Sequence, residues 1–252
     1  MGVATIQLFS DAIGKRTTYS VLLPREGDGP FPVLFQLHGL SDDHQAWIQR
    51  SNLARYVEDL PLIVVLPDAG TSGYLNWKPS GRLQSLHYED LIMQDISNDL
   101  RRNFNVTDGK WAIGGLSMGG YGSMRLGLKY PDRFASIWSH SSAYHLHEHH
   151  EVDLIEPESA ATSNVFTLAE QVAKLDQPPV ITFDCGADDR LIESNRALHA
   201  HMDKIGLAHG YAEHPGDHTW DYWDLHVQSA LKQHSDVLGI APIVSTSMEI
   251  RG

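Results

Sequence analysis

At 252 residues the chain is long enough for one large core and short for two ordinary domains. A formal charge of −13 would repel phosphates, which argues against nucleic acid or an anionic membrane as partner. One cysteine excludes an internal disulfide, no window is apolar enough to span a bilayer, and the first ten residues lack the basic-then-apolar order of a signal peptide, so the expected location is cytoplasmic.

In chain order, segments 3–9 and 16–23 read as two strands of an antiparallel hairpin. The apolar runs 31–38 and 62–66 read as central strands, with a helix over 49–60 between them. Leu91, Ile92, Ile96, Leu100 and Phe104 predict an amphipathic helix over 86–104. A short buried strand at 110–114 precedes a helix over 120–130 that Pro131 stops. Further strands are expected at 134–139, 179–185 and 208–212, and helices at 192–205 and 220–232. Segment 140–166 is the least regular and reads as an insertion over the site, and 240–252 as a tail. The sum is one α/β domain with about eight strands, the parallel ones covered by helices on both faces.

Gly115-Leu116-Ser117-Met118-Gly119 lies between the strand at 110–114 and its following helix. Strand, G-x-S-x-G and helix in that order make the context of a nucleophile elbow, a sharp turn that lifts a serine hydroxyl clear of the sheet. Such a serine needs a base, and the base an orienting acid, in the chain order Ser, Asp or Glu, His. Asp188 and Asp189 both lie where the strand at 179–185 meets the next helix. His218 follows Pro215-Gly216 just ahead of the last helix, while His214 falls at a strand end and Asp217 reads as shaping the loop. Asp184 falls within a strand and Cys185 ends one, so both read as structural. His38, before a glycine at a strand end, reads as a fixer of the loop that follows.

The run His140, His145, His147, His149, His150 lacks the H-E-x-x-H order, because position 151 is glutamate, and reads as surface histidine; no metal or cofactor is expected. Trp47, Tyr74, Trp77 and Trp220 fall near loops of the catalytic edge and are candidates for the walls of an acyl pocket, whereas Trp223 reads as packing.

Leu37-His38-Gly39-Leu40, Trp47, the run from Pro61 to Pro67, Gly114 to Gly122, Tyr130-Pro131, Cys185 to Leu191 and Pro215 to Trp223 together resemble the esterase D / tributyrin esterase branch of the α/β-hydrolases. That branch includes S-formylglutathione hydrolases, feruloyl esterases and the antigen 85 acyltransferases. The resemblance implies an α/β-hydrolase fold and a serine carboxylesterase acting on short-chain acyl esters, with Ser117 as nucleophile, His218 as base and Asp189 as acid. It also implies an oxyanion hole from the backbone N–H groups of Leu40 and Met118. A thioesterase of the S-formylglutathione type and an acyltransferase share this chemistry, and a silent binding module would share only the fold. The expected partner is a small ester.

Overall fold

Each central strand sends alternate side chains into two separate cores, as a sheet covered on both faces requires. Val33, Phe35, Leu37, Ile63, Val65, Ile113 and Ile137 join one core, whereas Leu34, Val64, Leu66 and Ala112 join the other. The computed structural model describes residues 1–79, 86–144 and 153–242.

Its main sheet has eight strands: β1 (Gly2–Ser10), β2 (Lys15–Leu23), β3 (Val33–Leu37), β4 (Ile63–Pro67), β7 (Trp111–Leu116), β8 (Phe134–His140), β9 (Val180–Gly186) and β10 (Gly210–His214). A separate short ribbon pairs β5 (Asn76–Trp77) with β6 (Leu86–His87). The order across the main sheet is β1-β2-β4-β3-β7-β8-β9-β10. The first two strands run antiparallel and the rest parallel, from β4 to the far edge at β10. This is an α/β-hydrolase architecture.

Helices α1 (Ala46–Arg50), α2 (Leu53–Tyr56) and α9 (Trp220–Leu238) cover one face, through Trp47, Leu53, Val57, Tyr222, Trp223, Val227 and Leu231. The other face carries α3 (Tyr88–Asp90), α4 (Ser97–Asn103), α5 (Met118–Lys129), α7 (Val165–Val172) and α8 (Ile192–Ile205), with α6 (Pro157–Ala161) beside them. Arg125 of α5 is buried and meets Glu89 of α3 at 2.6 Å, and Lys129 reaches the other carboxylate oxygen at 2.6 Å. This ion cluster fixes the helix that follows the elbow. No helix among the described residues is long and apolar enough to cross a membrane.

Three elements depart from the periodicity. The helix expected over 49–60 is broken in two, because Ser51 adopts an extended backbone and its hydroxyl bonds back to the Trp47 carbonyl. Asn52 then donates its backbone and side-chain N–H groups to Asp224. The helix expected over 86–104 opens as β6 and contains a π-helical stretch, Leu91–Ile96, between α3 and α4. The Ser97 hydroxyl donates to the Ile92 carbonyl five residues back at 2.8 Å, the reach of that wider turn. Helix α9 runs six residues beyond the expected end at 232, to a left-handed cap at Gly239.

Candidate active site

Ser117 sits between β7 and α5 at φ 53°, ψ −116°, a backbone conformation rarely adopted outside glycine. The close packing around the turn enforces it. A Cβ on Gly115 would lie 2.4 Å from the Gly119 carbonyl oxygen, and one on Gly119 would lie 2.5 Å from the carbonyl oxygens of Leu37 and His38. Only glycines let the helix start this close to the strands. The Ser117 N–H donates to the His140 carbonyl at 2.9 Å, tying the turn to β8. The first N–H groups of α5 have no partner within the helix, so Met118 presents a donor beside the hydroxyl.

The loops after β9 and β10 are zipped together. Ala187 N–H donates to the His214 carbonyl at 2.8 Å, and Asp188 N–H to the Gly216 carbonyl at 3.0 Å. This leaves Asp188 exposed and turns Asp189 inward, where it is buried. His218 Nδ1 donates to Asp189 Oδ2 at 2.8 Å, and Ser117 Oγ lies 3.0 Å from His218 Nε2. Because a carboxylate only accepts, the imidazole carries its proton on Nδ1 and offers Nε2 as acceptor to the serine hydroxyl. Burial opposes ionisation of Asp189, yet the hydrogen bonds from His218 and from the Leu191 N–H hold its carboxyl below the usual range. The Asp217 side chain accepts the His218 N–H, and so shapes the loop.

The remaining loop is that after β3. His38 is buried; its Nδ1 donates to the Gly39 carbonyl at 2.7 Å and its Nε2 accepts the Ala69 N–H at 3.0 Å. With both nitrogens so used the ring is neutral, and burial lowers its pKa accordingly. The Gly39 carbonyl also accepts the Asp42 N–H at 3.2 Å, which closes a turn whose second residue is Leu40. The turn uses the N–H of its fourth residue, and no hydrogen bond among the described residues takes that of Leu40. Gly39 packs against the elbow: a Cβ there would lie 2.9 Å from Leu116 and 3.8 Å from the Ser117 Cβ.

A pocket of about 440 Å³ opens over Ser117. Its lining among the described residues is Gly39 to Asp42, Arg50, Leu116, Arg190, His218, Thr219, Trp220 and Trp223. Of the aromatics expected to wall it, only Trp220 does so. Trp47 is buried behind it, edge-on to Trp220 at 5.1 Å, because its Nε1 donates to the Leu37 carbonyl at the end of β3. Tyr74 is buried too, and its hydroxyl donates to the His38 carbonyl at 2.9 Å, so it supports the loop from beneath. Trp77 lies in the β5–β6 ribbon and donates its Nε1 to the Ser72 carbonyl at 2.7 Å, outside the lining. Trp223, assigned to packing, is buried and also lines the pocket, with its ring 4.9 Å from that of His218. Arg50 and Arg190 were missed; nothing local marks them, since Arg50 reaches the rim only by lying over Trp220 at 5.3 Å and beside Asp42 at 3.4 Å.

The rival residues have other partners. His214 stacks on His226 at 4.2 Å. Asp184 is buried under three donors from Trp138, His140 and Tyr222. Cys185 is buried, which pushes its thiol pKa up and leaves it unreactive. Of the histidine run, His140 is buried at the end of β8 and not on the surface, because Asp184 holds its ring, while His145, His147, His149 and His150 lie outside the described residues, as do parts of the expected insertion and tail.

A protein-family model described as "Putative esterase" matches residues 10–234. An acetyl esterase of Caldicellulosiruptor saccharolyticus is 27% identical, across 94% of this chain and 99% of its own length. The fluorophosphonate-binding serine hydrolase F of Staphylococcus aureus superposes with a TM-score of 0.81 at 24% identity, over 92% of this chain and 98% of that one. An S-formylglutathione hydrolase of Agrobacterium tumefaciens superposes with a TM-score of 0.83 at 20% identity, over 94% and 95%. These last two share the fold. With nine-tenths of its length matched to the family, the chain belongs to the esterase family of α/β-hydrolases and is a carboxylic ester hydrolase.

Proposed function

We propose that the chain is a serine carboxylesterase for short-chain acyl esters, working through Ser117, His218 and Asp189 and an acyl-enzyme. The observation that carries this reading is the position of His218, with Asp189 at 2.8 Å on one nitrogen and Ser117 at 3.0 Å on the other. Ser117 Oγ attacks the ester carbonyl as His218 Nε2 takes its proton. Asp189 holds the tautomer and stabilises the imidazolium. The Leu40 and Met118 N–H groups receive the oxyanion, and each such donor lowers the barrier by roughly 3 kcal/mol. His218 then protonates the departing alcohol. Water, activated by the same nitrogen, releases the acid and regenerates the serine. No step calls for a metal or an organic cofactor.

Short acyl groups fit a pocket of about 440 Å³ backed by Leu116, Trp220 and Trp223, and the similar acetyl esterase acts by name on acetyl esters. A thioesterase for an S-formylglutathione-like substrate is the second reading, favoured by Arg50 and Arg190 on the rim, which suit a leaving group bearing carboxylates. Turnover of p-nitrophenyl esters from acetate to decanoate, by wild type and Ser117→Ala, tests both. We expect kcat/KM to be highest for the shortest chains and activity to vanish in the variant. Undiminished turnover by Ser117→Ala would overturn the nucleophile, and a preference for decanoate would overturn the short-chain assignment. Turnover confined to S-formylglutathione would move the reading to a thioesterase.

A further inference from the structure

Beside the edge strand, away from the pocket, two imidazoles and a carboxylate converge. We propose that His199, Asp203 and His209 form a binding site for a divalent transition-metal ion of the zinc class. His199 and Asp203 are one turn apart on α8 and therefore share a face. The helix ends at Gly206, φ 72°, and the returning chain places His209 just before β10.

His199 Nδ1 lies 2.8 Å from His209 Nε2, His199 Nε2 lies 3.6 Å from Asp203 Oδ2, and His209 Nε2 lies 3.9 Å from Asp203 Oδ1. One ligand atom from each residue can be chosen so that all three lie within 4.8 Å of one another. Around a tetrahedral zinc ion, ligands at about 2.1 Å from the metal stand roughly 3.4 Å from each other. With His199 Nδ1 as the ligand atom, His209 Nε2 lies 2.8 Å from it and 3.9 Å from Asp203 Oδ1, on either side of that value.

The rings are also held ready. His209 donates its Nδ1–H to the Leu207 carbonyl at 2.7 Å, which leaves Nε2 as the unprotonated nitrogen of the neutral ring. Metal-binding histidines are oriented in this way, by a carbonyl on the far nitrogen. Only 3% of the His209 side chain is exposed, and its ring stacks on Phe183 at 5.7 Å and 14°. His199 stacks on Tyr211 at 4.6 Å and 28°.

Two imidazoles with one carboxylate select zinc and its neighbours over magnesium or calcium, which prefer oxygen throughout. Three protein ligands leave a fourth position for water. His209 precedes the first residue of β10, whereas Gly216 and His218 follow its last, so the ion would sit toward the opposite end of the strand from Ser117. Its effect would be to fasten α8 to the start of β10, independently of ester hydrolysis.

Calorimetric titration of zinc chloride into the metal-stripped full chain tests this, with wild type, His199→Gln and Asp203→Asn compared. The Asp203 side chain is 64% exposed, so its substitution leaves the fold standing. We expect one zinc ion per chain, a higher Tm with zinc, and at least about a tenfold loss of affinity in each variant, with ester turnover unchanged. Unchanged affinity and stoichiometry in both variants would place the binding on other histidines and overturn the site. So would the absence of zinc binding by wild type.

Discussion

Of the three aspartates on strand β9 and the loop that leaves it, two grip the Nδ1 of a histidine: Asp184 holds His140 at 2.7 Å and Asp189 holds His218 at 2.8 Å. The pairs are nearly identical in bond geometry and opposite in setting. Asp184 is sealed in the sheet and also takes Trp138 Nε1 at 2.6 Å and the Tyr222 hydroxyl at 2.8 Å. The far nitrogen of its histidine is buried with no hydrogen-bond partner among the described residues. The far nitrogen of His218 faces Ser117 Oγ on the wall of an open pocket. An aspartate–histidine pair is therefore no signature of chemistry by itself. What distinguishes the proposed base is a hydroxyl to take a proton from and room for a substrate beside it. The buried pair has a different use: the His140 carbonyl holds the Ser117 N–H, so it braces the turn on which the other pair acts.

The largest break in that contrast comes from removing what His218 faces. On the proposed mechanism Ser117→Ala lowers kcat on p-nitrophenyl acetate by about 10⁶-fold, and His218→Ala by a similar factor, with the double variant little worse because the two act as one unit. Asp189→Asn should cost about 10⁴-fold, since an amide can donate to Nδ1 and favour the wrong tautomer. A loss under tenfold in Asp189→Asn, with the circular dichroism unchanged, would remove Asp189 from the role of acid.

Asp184→Asn should invert the pattern. Its amide nitrogen would confront donors from Trp138, His140 or Tyr222, leaving buried groups unpaired. We expect a stability loss of about 3–5 kcal/mol, read by urea denaturation, which in a chain of this size lowers Tm by roughly 10 °C. Through displacement of the elbow alone, kcat should fall by at most about 100-fold, well short of the loss in Asp189→Asn. Equal losses of activity in the two variants would erase the distinction between them.

The sequence made the elbow legible because its requirement is local: glycines two positions either side of Ser117 and a strand-to-helix switch are visible within a dozen residues. The α/β-hydrolase sheet was legible for the same reason, since each buried strand is a short apolar run. The choice between Asp188 and Asp189 was not, because it depends on backbone bonds from residues 187 and 188 to the distant loop at 214–216. Nor were the pocket walls. Trp47, on α1, and Tyr74 lie near the expected loops, but each has one polar atom that finds a backbone carbonyl inside, and that bond turns the ring away from the pocket. The break at Ser51 depends likewise on Asp224, 172 residues from the Asn52 that it holds. Periodicity reports which face a side chain takes, and it is silent on partners supplied by another element.

The smallest effect is the pH dependence of the two carboxylates. Burial would raise the Asp184 pKa, but His140, Trp138 and Tyr222 outweigh it and hold the folded-state value below the ordinary one. For a carboxyl depressed on folding, the unfolded chain binds the proton more readily, so its stabilising contribution is complete above the unfolded pKa of about 3.9 and fades as pH falls through the folded value. The stability gap between wild type and Asp184→Asn should therefore be constant from about pH 7 to about pH 5 and narrow below about pH 4. Asp189 is depressed in the same direction, by His218 and the Leu191 N–H, but with fewer hydrogen-bond donors. Its asparagine variant should show the same narrowing over a smaller gap. Urea titrations of the three proteins across that range read both gaps directly. A gap for Asp184→Asn that does not change with pH would mean that the carboxylate charge contributes nothing, and that the buried pair braces the elbow by shape and hydrogen bonding alone.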